Sequence, residues 1–142
     1  MTIAAILGRK GAEVVTITAD TGVGDAIALL AERRIGAVPV VEGEGVAGVF
    51  SERDVIQGLA GGAAGLLARS VSDVMTAPAV TVGPDDSVLG ALSLMTQRRI
   101  RHLPVVDGGR LVGIVSIGDL VKYRIDHIEA EAAAMRDYIQ QA

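Results

Sequence analysis

Gly48-Val49-Phe50-Ser51-Glu52-Arg53-Asp54 and Gly113-Ile114-Val115-Ser116-Ile117-Gly118-Asp119 are two versions of one stretch, and reading them together decides the fold. Each is a short apolar run closed by Ser-x-x-Asp and followed by helix-like sequence. The copies lie 65 residues apart. Working outward at that offset, Val15–Thr16 falls on Val80–Thr81 and Arg33-Arg34-Ile35 on Arg98-Arg99-Ile100. Pro39-Val40-Val41 falls on Pro104-Val105-Val106. From Val15 to Asp54 no gap is needed, and 16 of 40 positions are identical, so the chain is a tandem duplication.

Each copy reads strand, helix, strand, strand, helix. Val14–Ile17 and Val80–Val82 are short β-branched runs that predict strands. Ala26, Ile27, Leu29 and Leu30, and their partners Ala91, Leu92, Leu94 and Met95, recur at helical spacing. Val38–Val41 turns back as Val46–Phe50, and Leu103–Val106 as Leu111–Val115, through glycine-bearing hairpin turns. Nearly all-apolar strands suit a sheet covered by helices. The Gly/Ala-rich stretch from 58 to 65 is the expected connector. Neither copy is large enough to hide its apolar helices alone, so the pair is expected to pack as one α+β module. Val121, Ile125, Ile128, Ala132, Met135 and Ile139 then form a heptad-type stripe in the tail. That stripe suits either a helix lying on its own module or a contact between subunits.

Composition removes several function classes. The 142 residues are 50% hydrophobic, with a formal net charge of −4 and a 2% aromatic share. A nucleic-acid footprint needs a basic patch or stacking aromatics, and neither is evident. Cysteine is absent, which excludes disulfides, thiolate metal sites and cysteine nucleophiles. No apolar run approaches the roughly 20 residues of a membrane span. Arg9 and Lys10 follow the apolar start rather than precede it, unlike a signal peptide, so a cytoplasmic protein without membrane or nucleic-acid partners is expected.

Ser-x-x-Asp at a helix start has two compatible meanings. It is a capping box, in which Ser caps the first turn and the acid reaches back. It also sets a helix N-terminus, which attracts phosphate, beside a carboxylate able to accept both hydroxyls of a ribose. Other motifs lead nowhere. Gly22-Val23-Gly24 resembles a dinucleotide fingerprint, but Ile27 stands at its third glycine. His102, Ser116 and Asp119 form a conceivable hydrolytic triad, yet the first copy has Ala37 where His102 stands. His102 and His127 are too few and too isolated for a metal site. Arg33-Arg34 and Arg98-Arg99 suit the negative ends of helices, with contact to phosphate as the lesser alternative.

On these residues the sequence resembles a tandem pair of CBS domains, a Bateman module. The likeness rests on Thr16, Ile35-Gly36-Ala37-Val38-Pro39 and the Gly48–Asp54 turn. In the second copy it rests on Thr81, Ile100-Arg101-His102-Leu103-Pro104, the Gly113–Asp119 turn and the entry Val74-Met75-Thr76. The resemblance extends to short stand-alone bacterial pairs with a C-terminal helix. It implies two β-α-β-β-α repeats packed with pseudo-twofold symmetry, repeat one over 1–62, repeat two over 63–124 and an amphipathic helix over 125–142. It further implies a homodimer and an unidentified regulated protein. The expected ligand is an adenosine nucleotide (AMP, ATP or NAD(H)) in the cleft, with no catalytic cofactor and no metal. By this analogy Asp54 and Asp119 hold ribose hydroxyls. Ser51, Ser116, Thr16 and Thr81 lie near ribose and phosphate, and Gly36, Ala37, Val38, Arg101, His102 and Leu103 face base or sugar. Arg53 offers phosphate a cation in one site, and Arg101 with His102 does so in the other. Ile117 and Gly118 replace Glu52 and Arg53, so two unequal sites are expected. The rival readings are an interaction adaptor with vestigial pockets and a nucleotide hydrolase using His102.

Overall fold

The computed structural model describes residues 1–141. Chain order is α1 (Ile3–Lys10), β1 (Ile17–Thr18), α2 (Val23–Arg33), β2 (Ala37–Glu42), β3 (Gly45–Ser51), α3 (Glu52–Leu59) and α4 (Ala63–Leu67). A short 3-10 turn (Val71–Asp73), α5 (Val88–Arg98), β4 (His102–Asp107), β5 (Arg110–Ser116) and α6 (Ile117–Gln141) follow.

The duplication is reproduced at the level of register. Ala37 pairs with Ser51 and Val38 with Phe50 in the β2–β3 hairpin; His102 pairs with Ser116 and Leu103 with Val115 in the β4–β5 hairpin. Even the irregularity recurs, between Val40 and Val41 and between Val105 and Val106. The hairpin turns need glycine, because Gly43, Gly108 and Gly109 all have positive φ. Arg34 and Arg99 are the non-glycine residues with positive φ, both at 54°. Each ends its helix in the left-handed conformation. That turn returns Ile35 and Ile100 to their helices, through N–H bonds to Leu30 and Met95 at 3.1 Å each.

The expected first strand of each repeat is shorter than its sequence suggested. Ile17–Thr18 pairs in parallel with Val40–Val41, whereas in repeat two only a single bridge joins Val82 to Val105. Each segment runs along the hairpin for one or two residues and then turns into a helix. A β-branched run therefore overstates the length of such an edge contact.

Two cores form, and each is closed by chain that precedes the other repeat. Ile3 and Ile6 of α1 lie in the core of repeat two with Val88, Met95, Leu103 and Leu120. Leu66 and Val71, beyond the end of repeat one's own helices, lie in the core of repeat one with Val23, Leu30, Val38 and Phe50. The backbone follows suit: Ile3 N–H bonds Asp86 O at 2.9 Å, and Val71 N–H bonds Thr21 O at 2.8 Å. The equivalent glycines Gly48 and Gly113 admit these crossings. A Cβ at Gly48 would lie 2.7 Å from Thr76 O, and one at Gly113 would lie 2.6 Å from the Leu7 side chain. The sequence pattern shows neither α1 nor α4, and α4 overlaps the end of the expected connector.

The tail is not a separate element. α6 runs from Ile117 through residue 125 to Gln141, 25 residues that span about 37 Å at 1.5 Å per residue. Beyond Leu120 its apolar stripe is largely in solvent, with Ile128 46% and Ile139 67% exposed. Among the described residues no helix is long and apolar enough to cross a membrane.

Candidate functional site

The last residues of β3 and β5 deliver Ser51 and Ser116 to the starts of α3 and α6. At the first turn, the Ser51 N–H and hydroxyl both donate to Asp54 Oδ2, at 2.9 and 3.2 Å. The Thr76 hydroxyl donates to Asp54 Oδ1 at 2.9 Å. Asp54 is only 4% exposed, and it is the buried charged residue of the described chain. Burying a carboxylate is tolerable because its acceptor positions are filled.

The second turn has the same frame and different company. Ser116 N–H donates to Asp119 Oδ2 at 2.9 Å, and Asp119 N–H donates back to the Ser116 hydroxyl at 3.1 Å. No threonine reaches it. Instead Lys10, at the end of α1, donates to Asp119 Oδ2 at 2.6 Å and to Ile114 O at 2.9 Å. The two side chains are 34% and 27% exposed. Burial works against ionisation of Asp119, but the Lys10 ammonium and the Ser116 N–H outweigh it and hold its carboxyl below the usual value. Capping geometry is thus present at both turns, and each carboxylate already has an internal donor.

Between the repeats lies a cavity of about 290 Å³. Repeat one lines it with Gly36, Ala37, Val49, Ser51, Glu52 and Arg53. The linker and repeat two add Thr76, Ala79, Val80, Arg98, Ile100, Arg101 and His102. Glu52 and His102 approach each other at Gly36, where a Cβ would lie 2.8 Å from Glu52 Oε1 and 3.1 Å from His102 Cε1. Burial and the adjacent Arg101 charge lower the His102 pKa, against smaller opposing effects of Glu52 and Asp119.

The candidate residues divide clearly. Gly36, Ala37, Ser51, Arg53, Arg101 and His102 line this one cavity. Arg53 and Arg101 therefore line the same cavity, because the repeats meet with the start of α3 near the start of β4. Val38 and Leu103 have fully buried side chains in the cores. Thr16 and Thr81 are exposed, just ahead of Ile17 and Val82. Ser116, Ile117, Gly118 and Asp119 belong to the other turn. There a second recess of about 300 Å³ is lined by Ile6, Arg9, Lys10, Asp119, Lys122, Tyr123 and Asp126.

Sequence reasoning missed Thr76 and Lys10. For Arg98 it ranks a helix-end cation above a phosphate contact, and Arg98 stands both at the end of α5 and on the cavity wall. Thr76 and Lys10 act across 22 and 109 residues of chain, so no local pattern points to them. Among the described residues no cluster of His, Asp or Glu is placed to hold a metal ion.

Comparison with known proteins agrees with the duplication. A family model described as the CBS domain matches residues 9–61 and again 71–126. A mitochondrial CBS domain-containing protein of Arabidopsis thaliana is 35% identical over 128 residues, 87% of this chain; the chain spans 62% of that protein's length. Among solved structures, a CBS-domain containing protein from Agrobacterium tumefaciens is 41% identical with a TM-score of 0.83. That match covers 87% of this chain and 99% of the other. A CBS domain protein from Pyrobaculum aerophilum, complexed with AMP, is 26% identical with a TM-score of 0.74, over 84% of this chain and 89% of that one.

Proposed function

The chain belongs to the CBS-domain family as a tandem pair, and from that premise we propose that it is a non-catalytic sensor of an adenosine nucleotide. Tandem CBS pairs are regulatory modules. The observation that carries the reading is the cavity between the repeats. Its walls combine apolar side chains (Ala37, Val49, Ala79, Val80, Ile100) with the Ser51 turn and several cations, and both repeats contribute. A base fits the apolar part and phosphate the cationic part. The AMP bound by the Pyrobaculum relative supports the same ligand class here. At about 290 Å³ the cavity lies at the small end for ligand sites, which favours a mononucleotide such as AMP or ATP over NAD(H). A ligand touching both repeats biases how they sit together, and that is the regulatory signal passed to a partner protein in the cytoplasm.

The hydrolase reading loses support at Asp119, which is engaged by Lys10 rather than by His102. The adaptor reading has one observation in its favour: both Ser-x-x-Asp carboxylates are already hydrogen-bonded internally. Thermal melts against a panel of adenosine compounds separate the two. A ligand that binds the native state raises the melting temperature. A shift at micromolar nucleotide supports the sensor, and no shift at millimolar supports the adaptor.

A homodimer is part of the proposal. The stripe Val121, Ile125, Ile128, Met135 and Ile139 is exposed along α6 and is long enough to serve a second copy. Light scattering of the chain ending at Arg124 is expected to show a smaller assembly than the full chain. An unchanged mass would assign dimerisation elsewhere, and a monomeric full chain at micromolar concentration would end the dimer claim.

A further inference from the structure

Three arginines on the cavity between the repeats lack a protein partner. Arg53 stands in the first turn of α3, Arg98 in the last turn of α5, and Arg101 just before β4. Among the described residues the ion pairs are Arg9–Asp126, Lys10–Asp119, Arg110–Glu44 and His127–Glu131, and none includes these three. Their guanidiniums make no side-chain hydrogen bond within the described chain either. The arginines that do bond are Arg9, to Asp126, and Arg69, to the Asp73 carbonyl. Glu52 is the one carboxylate on the cavity wall. The cavity thus carries three fixed positive charges against one negative, in a chain whose net charge is −4. Acids are plentiful in the sequence, yet they have not been placed here. Such a concentration of one sign in a cleft draws in ligands of the other.

The number of arginines bears on the ligand's size. Each guanidinium is a planar fork able to grip two anionic oxygens. A monophosphate carries at most about two negative charges, fewer than the three guanidiniums, whereas a di- or triphosphate carries more charge and spreads its oxygens over a longer chain. The arginines also stand on separate elements of both repeats, while the apolar lining (Ala37, Val49, Ala79, Val80, Ile100) leaves room for one base.

We propose that this cavity selects a nucleoside di- or triphosphate over the monophosphate and over cationic adenosyl compounds, with the phosphate chain held by Arg53, Arg98 and Arg101. The inference rests on reading the cavity as an adenosine-nucleotide site, and it deepens that reading by fixing the phosphate number. Because Arg53 comes from one repeat and Arg98 and Arg101 from the other, each added phosphate ties the repeats more firmly.

Calorimetry on the full chain tests it with adenosine, AMP, ADP, ATP, GTP, inorganic tripolyphosphate and S-adenosylmethionine at low and high salt. ATP is expected to bind at least about tenfold tighter than AMP, with the steeper loss of affinity in salt, and S-adenosylmethionine more weakly than AMP. In Arg98→Gln/Arg101→Gln both nucleotides are expected to weaken, ATP by more, so that the ATP-to-AMP ratio falls to about twofold or less. All three arginines are exposed, so these variants should fold, and melting curves verify that. AMP binding as tightly as ATP to the parent protein overturns the inference and leaves the adenosine reading standing. So does a ratio unchanged in a folded double variant. GTP or tripolyphosphate binding with the same arginine dependence, while AMP and adenosine do not bind, supports the inference and removes the adenosine reading. No binding by any of the compounds overturns both.

Discussion

The starts of α3 and α6 are copies of one turn, yet they hold their carboxylates in different ways. Both use Ser-x-x-Asp, both take the serine N–H at 2.9 Å, and both follow a hairpin of identical register. Asp54 is buried and neighboured by a neutral hydroxyl, Thr76; Asp119 is partly exposed and neighboured by a cation, Lys10. At the 65-residue offset, Thr76 falls on Gly11 and Lys10 on Met75, so neither donor has a counterpart in the other copy. Duplication preserved the backbone device, and the segments that cross from one repeat to the other made the two turns chemically distinct. Those crossing segments are therefore where the two halves of the molecule are best told apart.

The largest effect is expected from cutting into the crossing itself. Ile3 is fully buried, in the core of repeat two rather than of the repeat it precedes. Ile3→Ala removes a packed side chain and should destabilise by about 2–5 kcal/mol. Hydrogen exchange reads where that loss falls. Faster exchange across β4, β5 and α5, with β2 and β3 protected as before, supports the crossed arrangement. Loss confined to repeat one would break it.

A smaller difference separates the two carboxylates. Asp54→Ala removes a buried carboxylate together with its hydrogen bonds from the Ser51 N–H, the Ser51 hydroxyl and the Thr76 hydroxyl, which should cost about 1–3 kcal/mol. In Asp119→Ala, Lys10 keeps the Ile114 carbonyl and has solvent in reach, and a loss below about 1 kcal/mol is expected. Denaturant unfolding of the two variants side by side measures this. Equal losses would mean that the burial of Asp54 and the exposure of Asp119 have no energetic consequence.

These contrasts mark what the sequence made legible. The hairpins, both turns and the helices that end at Arg33-Arg34 and Arg98-Arg99 followed from the offset of 65, because a repeat displays its constraints twice. The capping role of Ser51 and Ser116 was visible for the same reason. The meeting of Arg53 with Arg101 in one cavity was not, since it depends on how the repeats face each other and leaves no local pattern. α1 escaped notice as well. Its burial belongs to a core some 80 residues further along, and eight residues give little periodicity to read.

His102 offers a finer probe of the same asymmetry, since Ala37 occupies its place in repeat one. Burial and Arg101 lower its pKa in the folded protein below the ordinary imidazole value near 6.5. Below that value the unfolded chain therefore holds more protons than the folded one, and folding stability falls as pH drops through the window toward the lower folded pKa. In His102→Gln that part of the pH dependence should be absent. Melting temperatures of parent and variant between pH 7 and 5 compare the slopes, and parallel curves would show that His102 titrates alike in both states.

The smallest change expected is from Lys10→Ala, and it bears most directly on what distinguishes the second turn. The pair is a third exposed on its lysine side, so its removal should lower stability by only a few tenths of a kcal/mol at neutral pH. The titration of Asp119 is the sharper readout. Its folded pKa lies below the ordinary carboxylate value despite burial, through the Lys10 ammonium and then the Ser116 N–H. A depressed carboxylate pKa adds stability above the unfolded value near 3.8, and that stability is lost as pH falls through the folded value. Without Lys10, burial is opposed by Ser116 alone, so the folded Asp119 pKa should rise toward the unfolded value, and the stability that its ionisation adds and acid removes should shrink. Carboxyl carbon shifts followed by NMR in both proteins read Asp119 directly. An unmoved Asp119 would assign its ionisation to the turn alone, and the two copies would then be electrostatically equivalent after all.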